Sequence, residues 1–190
     1  MLHRPKNRNF ECWNSTKCRK LDKSNVEFLI YRMKNNFDVI VVGGGASGFF
    51  TAINLAENNP ELRIAILERG KDVLGKVKIS GGGRCNVTHA CFIPNVLTKF
   101  YPRGERELRG PFHTFCTGDV IEWFENNGVT LKTEEDGRMF PESNSSQTII
   151  DCFLNLSKEY QIKINTSCSV QAISQIDDFW QLETTQGKLT

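Results

Sequence analysis

No stretch of roughly 18 consecutive apolar residues occurs in the chain, which argues against a transmembrane helix. The opening residues are polar and basic with no apolar run behind them, so no secretory signal is expected either. Together these two absences point to the cytoplasm and to no membrane partner. None of the seven cysteines (Cys12, Cys18, Cys85, Cys91, Cys116, Cys152 and Cys168) is spaced C-x-x-C, and their number is odd. That pattern speaks against a disulfide framework and against a zinc site, so no metal is expected. Internal repeats, low-complexity tracts and zinc-finger, helix-turn-helix or RGG patterns are also missing, which leaves nucleic acid without support as a partner.

What is present is a sharp change of texture. Residues 1–36 hold nine Lys and Arg against three Asp and Glu, whereas residues 37–190 hold fifteen against nineteen. The basic character belongs to a leader that shows no sustained hydrophobic period, and residues 1–36 are expected to be a disordered basic arm. Met33 is the expected natural start, which would make residues 1–32 dispensable. From Phe37 the pattern becomes that of a folded α/β domain. Phe37 to Val42 is a β-branched, nearly continuous apolar run, as in a strand buried on both faces. Ala46, Phe49, Phe50, Ile53 and Ala56 recur at helical spacing, and Asn59-Pro60 ends that helix. Arg63 to Glu68 is the next buried strand. Strand, helix and strand within about 32 residues make a βαβ unit whose strands must be parallel.

Beyond it, Gly75 to His89 is glycine-rich and too polar for a core element, and residues 90–116 read as irregular because Pro94, Pro102 and Pro111 interrupt them. A helix is expected over Gly118–Asn127, closed by Gly128, then a strand at 129–132, a turn at Glu135-Asp136-Gly137 and an outgoing strand at 138–140. Ser145 or Ser146 caps a helix carrying Ile149, Ile150, Phe153, Leu154 and Leu156. From about residue 161 the chain reads as β-rich, with strands at 162–164, 170–173 and 179–182.

Two stretches carry chemistry. The first is Gly43-Gly44-Gly45-Ala46-Ser47-Gly48, a G-x-G-x-x-G turn between a strand and a helix, with an acid, Glu68, twenty residues beyond its last glycine. Gly43 permits the tight turn, Gly45 admits a pyrophosphate to the backbone, and Gly48 lets helix and strand pack closely. The helix N-terminus offers free N–H groups and a positive dipole end, and Glu68 can accept from ribose hydroxyls. The turn does not by itself separate FAD from NAD. Glu68 argues against a 2′-phosphate, while Arg69 beside it would favour one. The second stretch is Ile79-Ser80-Gly81-Gly82-Gly83-Arg84-Cys85-Asn86. Its consecutive glycines expose backbone N–H groups that can cradle an anion or a flavin, and Arg84 and Lys76 can neutralise phosphate. A glycine-rich surface loop with no ligand fits the bare composition equally well. Cys85 is a candidate redox thiol or a buried small residue.

These stretches, followed by Thr88, Tyr101-Pro102-Arg103-Gly104, Trp123-Phe124, Glu134 to Pro141 and Ser145 to Thr148 in that order, resemble the BaiN-like family of FAD-dependent oxidoreductases, also labelled aminoacetone-oxidase-like. The similarity covers about residues 37–185, and Ser80 to Asn86 is its most specific part. It implies a Rossmann-like FAD/NAD(P)-binding domain of the two-dinucleotide-binding flavoprotein type, truncated at its C-terminus, since family members are roughly twice as long. The missing half would supply a second domain and the segment covering the flavin ring, so the stretch 37–190 alone is expected to be inactive. The resemblance further implies tightly bound FAD, electron exchange with a nicotinamide nucleotide, NAD(P)H, as donor, and a small-molecule substrate. Gly43, Gly45, Gly48 and Glu68 would hold the ADP part, with Lys76 and Ser80 to Asn86 near the cofactor. His89 stands where the family often has Asn. No catalytic acid or base is singled out. Two other classes remain: a tRNA-modifying type of flavoprotein, and a non-catalytic dinucleotide-binding fragment.

Overall fold

Four β-branched and aliphatic residues, Val39–Val42 (β1), run straight into the glycine turn, and Ala46–Asn58 (α1) follows with Phe49, Ala52, Ile53 and Ala56 buried on one face. The helix ends at Asn59, whose N–H bonds back to the carbonyls of Leu55 and Ala56. Ile64–Leu67 (β2) is buried at every position. It pairs in parallel with β1, Val39 opposite Ile64 and Val42 opposite Leu67, so the expected βαβ unit is formed. Asp38 braces its open end: its carboxylate accepts from the Arg63 guanidinium at 3.0 and 3.1 Å and from the Arg63 N–H at 2.8 Å. These elements come from a computed structural model, which describes residues 36–190. The basic leader and the expected start at Met33 lie outside the described residues, Asn36 excepted.

Gly75–Ile79 (α2) is a short helix inside the stretch read as glycine-rich and too polar for a core element. The glycines hide a single apolar contact pair: Leu74 and Val77 are both buried in the main core. Residues Ser80–Gly83 then form a tight turn, and Thr88–His89 (β3) follows. The segment read as irregular because of its prolines contains Pro94–Leu97 (α3) and Arg109–Thr114 (α4). Pro94 and Pro111 sit within the first turns of these helices, where a missing N–H removes no hydrogen bond. Thr117–Asn126 (α5) is capped by Cys116, whose N–H donates to Asp119 at 2.7 Å. It stops as expected at Gly128, left-handed at φ +76°, with the Val129 N–H returning to the Phe124 carbonyl. Leu131–Thr133 (β4) and Arg138–Pro141 (β5) form a hairpin around the expected turn, and β3 adds antiparallel to the other edge of β5.

Ser146–Glu159 (α6) is capped by the Ser145 hydroxyl, which accepts from the Gln147 N–H; Ser146 is instead buried and donates to the Lys78 carbonyl at 2.9 Å, tying α6 to α2. Lys163–Asn165 (β6) does not open the β-rich segment. It returns to the parallel sheet beside β2, giving the order β1-β2-β6. The short strand has the same apolar alternation either way, and only the α6 crossover decides which sheet it joins. Val170–Ile176 (β7), Phe179–Thr184 (β8) and the unforeseen Gly187–Leu189 (β9) make a separate antiparallel meander. The core between sheet and helices gathers Phe49, Ile53, Ile66, Phe124, Ile149 and Phe153.

Candidate functional site

The glycine turn sits at the C-terminal ends of β1 and β2, where open parallel sheets bind ligands. Its glycines do different things. Gly43 takes φ +111°, which favours glycine, and its N–H bonds to the Leu67 carbonyl at 2.8 Å. A Cβ on Gly48 would lie 2.0 Å from the Gly43 carbonyl oxygen, so only glycine lets α1 start this close to β1. A Cβ on Gly44 would meet Val73 at 2.8 Å and Glu68 at 3.0 Å, which makes Gly44 a packing contact with the loop after β2. At Gly45 the same test finds nothing within 4 Å.

Gly45 is also the N-cap of α1. No side chain caps this helix, and its first turn holds no acidic residue. The first-turn N–H groups, at Ala46 and Ser47 among others, therefore face open space with the positive end of the helix dipole behind them. An anion fits that arrangement, and the free volume at Gly45 admits a phosphate against the backbone.

Glu68 closes the turn from the side. One carboxylate oxygen accepts from the Gly70 N–H at 2.7 Å and the other from the Gly44 N–H at 2.9 Å. These two bonds hold the carboxyl below its ordinary pKa, that of Gly70 most and that of Gly44 next. The group is a fixed anion with lone pairs to spare, suited to a pair of ribose hydroxyls. Arg69 is exposed beside it.

The second stretch reaches the same place. A cavity of about 500 Å3 is lined by Ala46 and Ser47 from the glycine turn and by Lys76, Ser80, Cys85 and Asn86 from the second stretch. Its floor is aromatic, with Phe50, Phe115, Phe124 and Phe153, and Lys76 is the one charged side chain in its lining. The structure thus joins two motifs more than thirty residues apart into one concave site. Within the loop Gly81, Gly82 and Gly83 are left-handed at φ +55°, +69° and +85°, and Cys85 follows at +63°. With its amide nitrogen turned inward, Asn86 donates to the carbonyls of Thr88 at 3.0 Å and Met139 at 3.2 Å.

The structure decides between the two readings of Cys85 and gives Arg84 a part its sequence context did not show. Cys85 is buried, and burial raises its pKa, which keeps the sulfur a thiol and disfavours nucleophilic redox chemistry there. Arg84 does not project freely toward a ligand. Its guanidinium is ion-paired with Glu134 and lies 4.0 Å from the centre of the Phe140 ring. The run Glu134 to Pro141 carried part of the family resemblance and read as a turn and a strand, but Glu134 and Phe140 were not named as site residues because they lie some fifty residues downstream. His89 stacks on Phe100 with ring centres 3.8 Å apart. It lines a second cavity of about 580 Å3 with Asn86, Tyr101, Asp136 and Arg138.

Known proteins are similar to this chain in sequence and in fold. A 3-dehydro-bile acid delta(4,6)-reductase of Clostridium scindens is 26% identical over 133 residues, 70% of this chain and 32% of that protein. A ribosomal RNA dihydrouridine synthase of Haemophilus influenzae is 24% identical over 139 residues, 73% of this chain and 33% of that protein. The chain thus spans about a third of the length of these curated relatives. Among solved structures, the 3-ketosteroid-delta4-(5alpha)-dehydrogenase of Rhodococcus jostii RHA1 superposes with a TM-score of 0.58 at 14% identity, over 81% of this chain and 43% of that one, a likeness of fold alone. The HI0933-like protein Rossmann domain matches residues 37–190 from the first strand onward. The chain belongs to this family of FAD-dependent oxidoreductases, and residues 37–190 are its Rossmann-type FAD-binding domain.

Proposed function

We propose that the protein binds FAD with its ADP half along the glycine turn and Glu68, and that the bound flavin passes electrons from NADH or NADPH to a small-molecule substrate. The observation that carries this reading is the uncapped start of α1 at Gly45, open to a phosphate and flanked by the fixed carboxylate of Glu68. When bound, FAD supplies the two-electron chemistry; the chain binds it, orients it and excludes water. The first-turn N–H groups of α1 take the pyrophosphate and Glu68 the ribose. Lys76 adds a positive charge at the mouth of the cavity, and the loop Ser80 to Asn86 presents backbone N–H groups to the rest of the cofactor. The aromatic floor offers an apolar environment next to it. The five described cysteines are free, which suits a reducing cytoplasm. Anaerobic mixing of the flavin-loaded protein, carried at the full length of its relatives, with NADH and with NADPH tests the electron route. Bleaching of the visible flavin band by either one supports it, and a band that neither nucleotide reduces overturns it.

A second reading has one observation in its favour: curated relatives 24% and 23% identical to this chain are named ribosomal RNA dihydrouridine synthase. In that reading the substrate is a base within RNA. The acidic balance of residues 37–190, nineteen acids to fifteen bases, gives the domain itself no electrostatic footprint for RNA. Filter binding of the protein to ribosomal RNA fragments across a salt series separates the two, since RNA recognition weakens steeply with salt.

A further inference from the structure

Three successive glycines in left-handed conformation cannot hold themselves. Glycine loses more freedom on ordering than any other residue, and Gly81, Gly82 and Gly83 offer no side chain to anchor. Arg84 is the anchor. Its Nε–H reaches back to the Gly81 carbonyl at 3.4 Å. One terminal nitrogen pairs with Glu134 Oε1, and the other lies 3.5 Å from Oε2. The guanidinium carbon lies over the ring of Phe140, 4.0 Å from its centre, and Phe140 is fully buried. Phe140 also presses the loop itself, since a Cβ on Gly81 would lie 2.8 Å from its ring and 2.8 Å from the Asn86 N–H. Glu134 shares its second oxygen with Arg138 at 3.8 Å, so the carboxylate sits between two cations on the β4–β5 hairpin.

We infer that Arg84 and Glu134 are a positioning pair that fixes the Gly81–Gly83 loop for the cofactor, and that Arg84 is not a phosphate ligand. The inference rests on the FAD reading of the site. To reach a phosphate, Arg84 would have to leave both Glu134 and Phe140, releasing the loop and exposing a carboxylate to the incoming anion. The phosphate charge is left to the α1 N-terminus and Lys76, while Arg84 turns each of its three nitrogens to the protein, Nε to Gly81 and the two terminal ones to Glu134.

Substitution of Glu134 separates the two roles by sign. If Arg84 were a phosphate ligand, Glu134→Gln would free it and remove a nearby negative charge, and FAD would bind more tightly. A positioning role requires the opposite. Glu134→Gln and Arg84→Gln should each weaken FAD binding roughly tenfold, and the double variant should be no weaker than the worse single, as for two members of one network. Arg84→Lys keeps the charge but loses the fork and the guanidinium over Phe140, so it should behave like Arg84→Gln and not like the unmutated protein. The visible circular dichroism of the bound flavin should change in all four variants, a signature that a general loss of stability leaves alone. FAD titration and this spectrum, with thermal unfolding of each apo-protein as the control for folding, are the measurements. Tighter FAD binding in Glu134→Gln, or full rescue by Arg84→Lys, overturns the inference while leaving the FAD reading intact. An unmutated protein that takes up no FAD overturns both. If Glu134→Gln fails to fold, Arg84→Lys decides alone.

Discussion

The Gly44 N–H donates to Glu68 Oε2 at 2.9 Å, joining the glycine turn after β1 to the end of the strand beside it. Glu68 therefore shapes the turn and is held ionised, and under the proposed function it has a second task, to face a ribose. Glu68→Ala removes both. FAD affinity should fall by about 1.5–3 kcal/mol, the scale of hydrogen bonds to a charged group. Glu68→Gln, which can still accept at one position, should lose less. Titration of FAD into apo-protein checks the order; equal affinity in all three proteins would show that Glu68 only ends the strand.

Gly45 and Gly48 should fail in different ways. Space is open around Gly45, so Gly45→Val should leave apo-protein stability within about 0.5 kcal/mol, as for a surface change, and abolish flavin retention by filling the phosphate site. Gly48→Ala adds helix propensity, but its methyl would meet a backbone oxygen at 2.0 Å, and the clash wins. Overpacking of this kind should lower stability by about 1–3 kcal/mol. Urea unfolding of the apo-proteins beside the flavin content of the purified ones distinguishes the two.

Acid should weaken the fold through depressed carboxylates. The Arg63 side chain, then its N–H, lowers Asp38 from the ordinary 3.8 to about 2, and Glu68 is lowered by its two backbone bonds. A carboxylate depressed in the folded state contributes stability that is present above its unfolded pKa and lost as pH falls through its folded pKa. The urea midpoint should therefore hold steady near neutral pH and decline below about pH 4.5. Asp38→Asn should flatten the lower part of that decline; an unchanged profile would mean that the exposed Asp38–Arg63 pair is screened to nothing.

The thiols should sort by burial. Cys152 is pushed up to about 11 by burial, and Cys85 is raised by the same cause. Cys91 and Cys116 are partly exposed. At mildly alkaline pH, iodoacetamide should label Cys91 and Cys116 well before Cys85 and Cys152, as peptide mass mapping would show. Rapid labelling of Cys85 would restore it as a redox candidate.

The β1-α1-β2 unit was legible because each of its elements keeps its own apolar pattern, continuous in the strands and helical in α1, and its glycine turn and Glu68 lie within one local window. The short helix α2 was not, since only Leu74 and Val77 carry its buried face and glycine dominates its neighbourhood. Pro111 masked α4, because a proline within a first turn reads in sequence like one that breaks a helix. The strand β6 was found, but its place beside β2 was not, as partner choice is tertiary information. Site legibility stopped at the same boundary. Arg84 was visible, while Glu134, which decides what Arg84 can do, acts from fifty residues away.

The central claim is that residues 37–190 seat the ADP half of FAD on the glycine turn. Its most direct test is to release and identify the nucleotide carried by the purified protein, with Gly45→Val alongside. The account predicts FAD in near-equal amount to protein, no uptake of FMN, which lacks the ADP half, and no flavin in the variant. FMN or NAD(P) in place of FAD, or full FAD content in Gly45→Val, would contradict it.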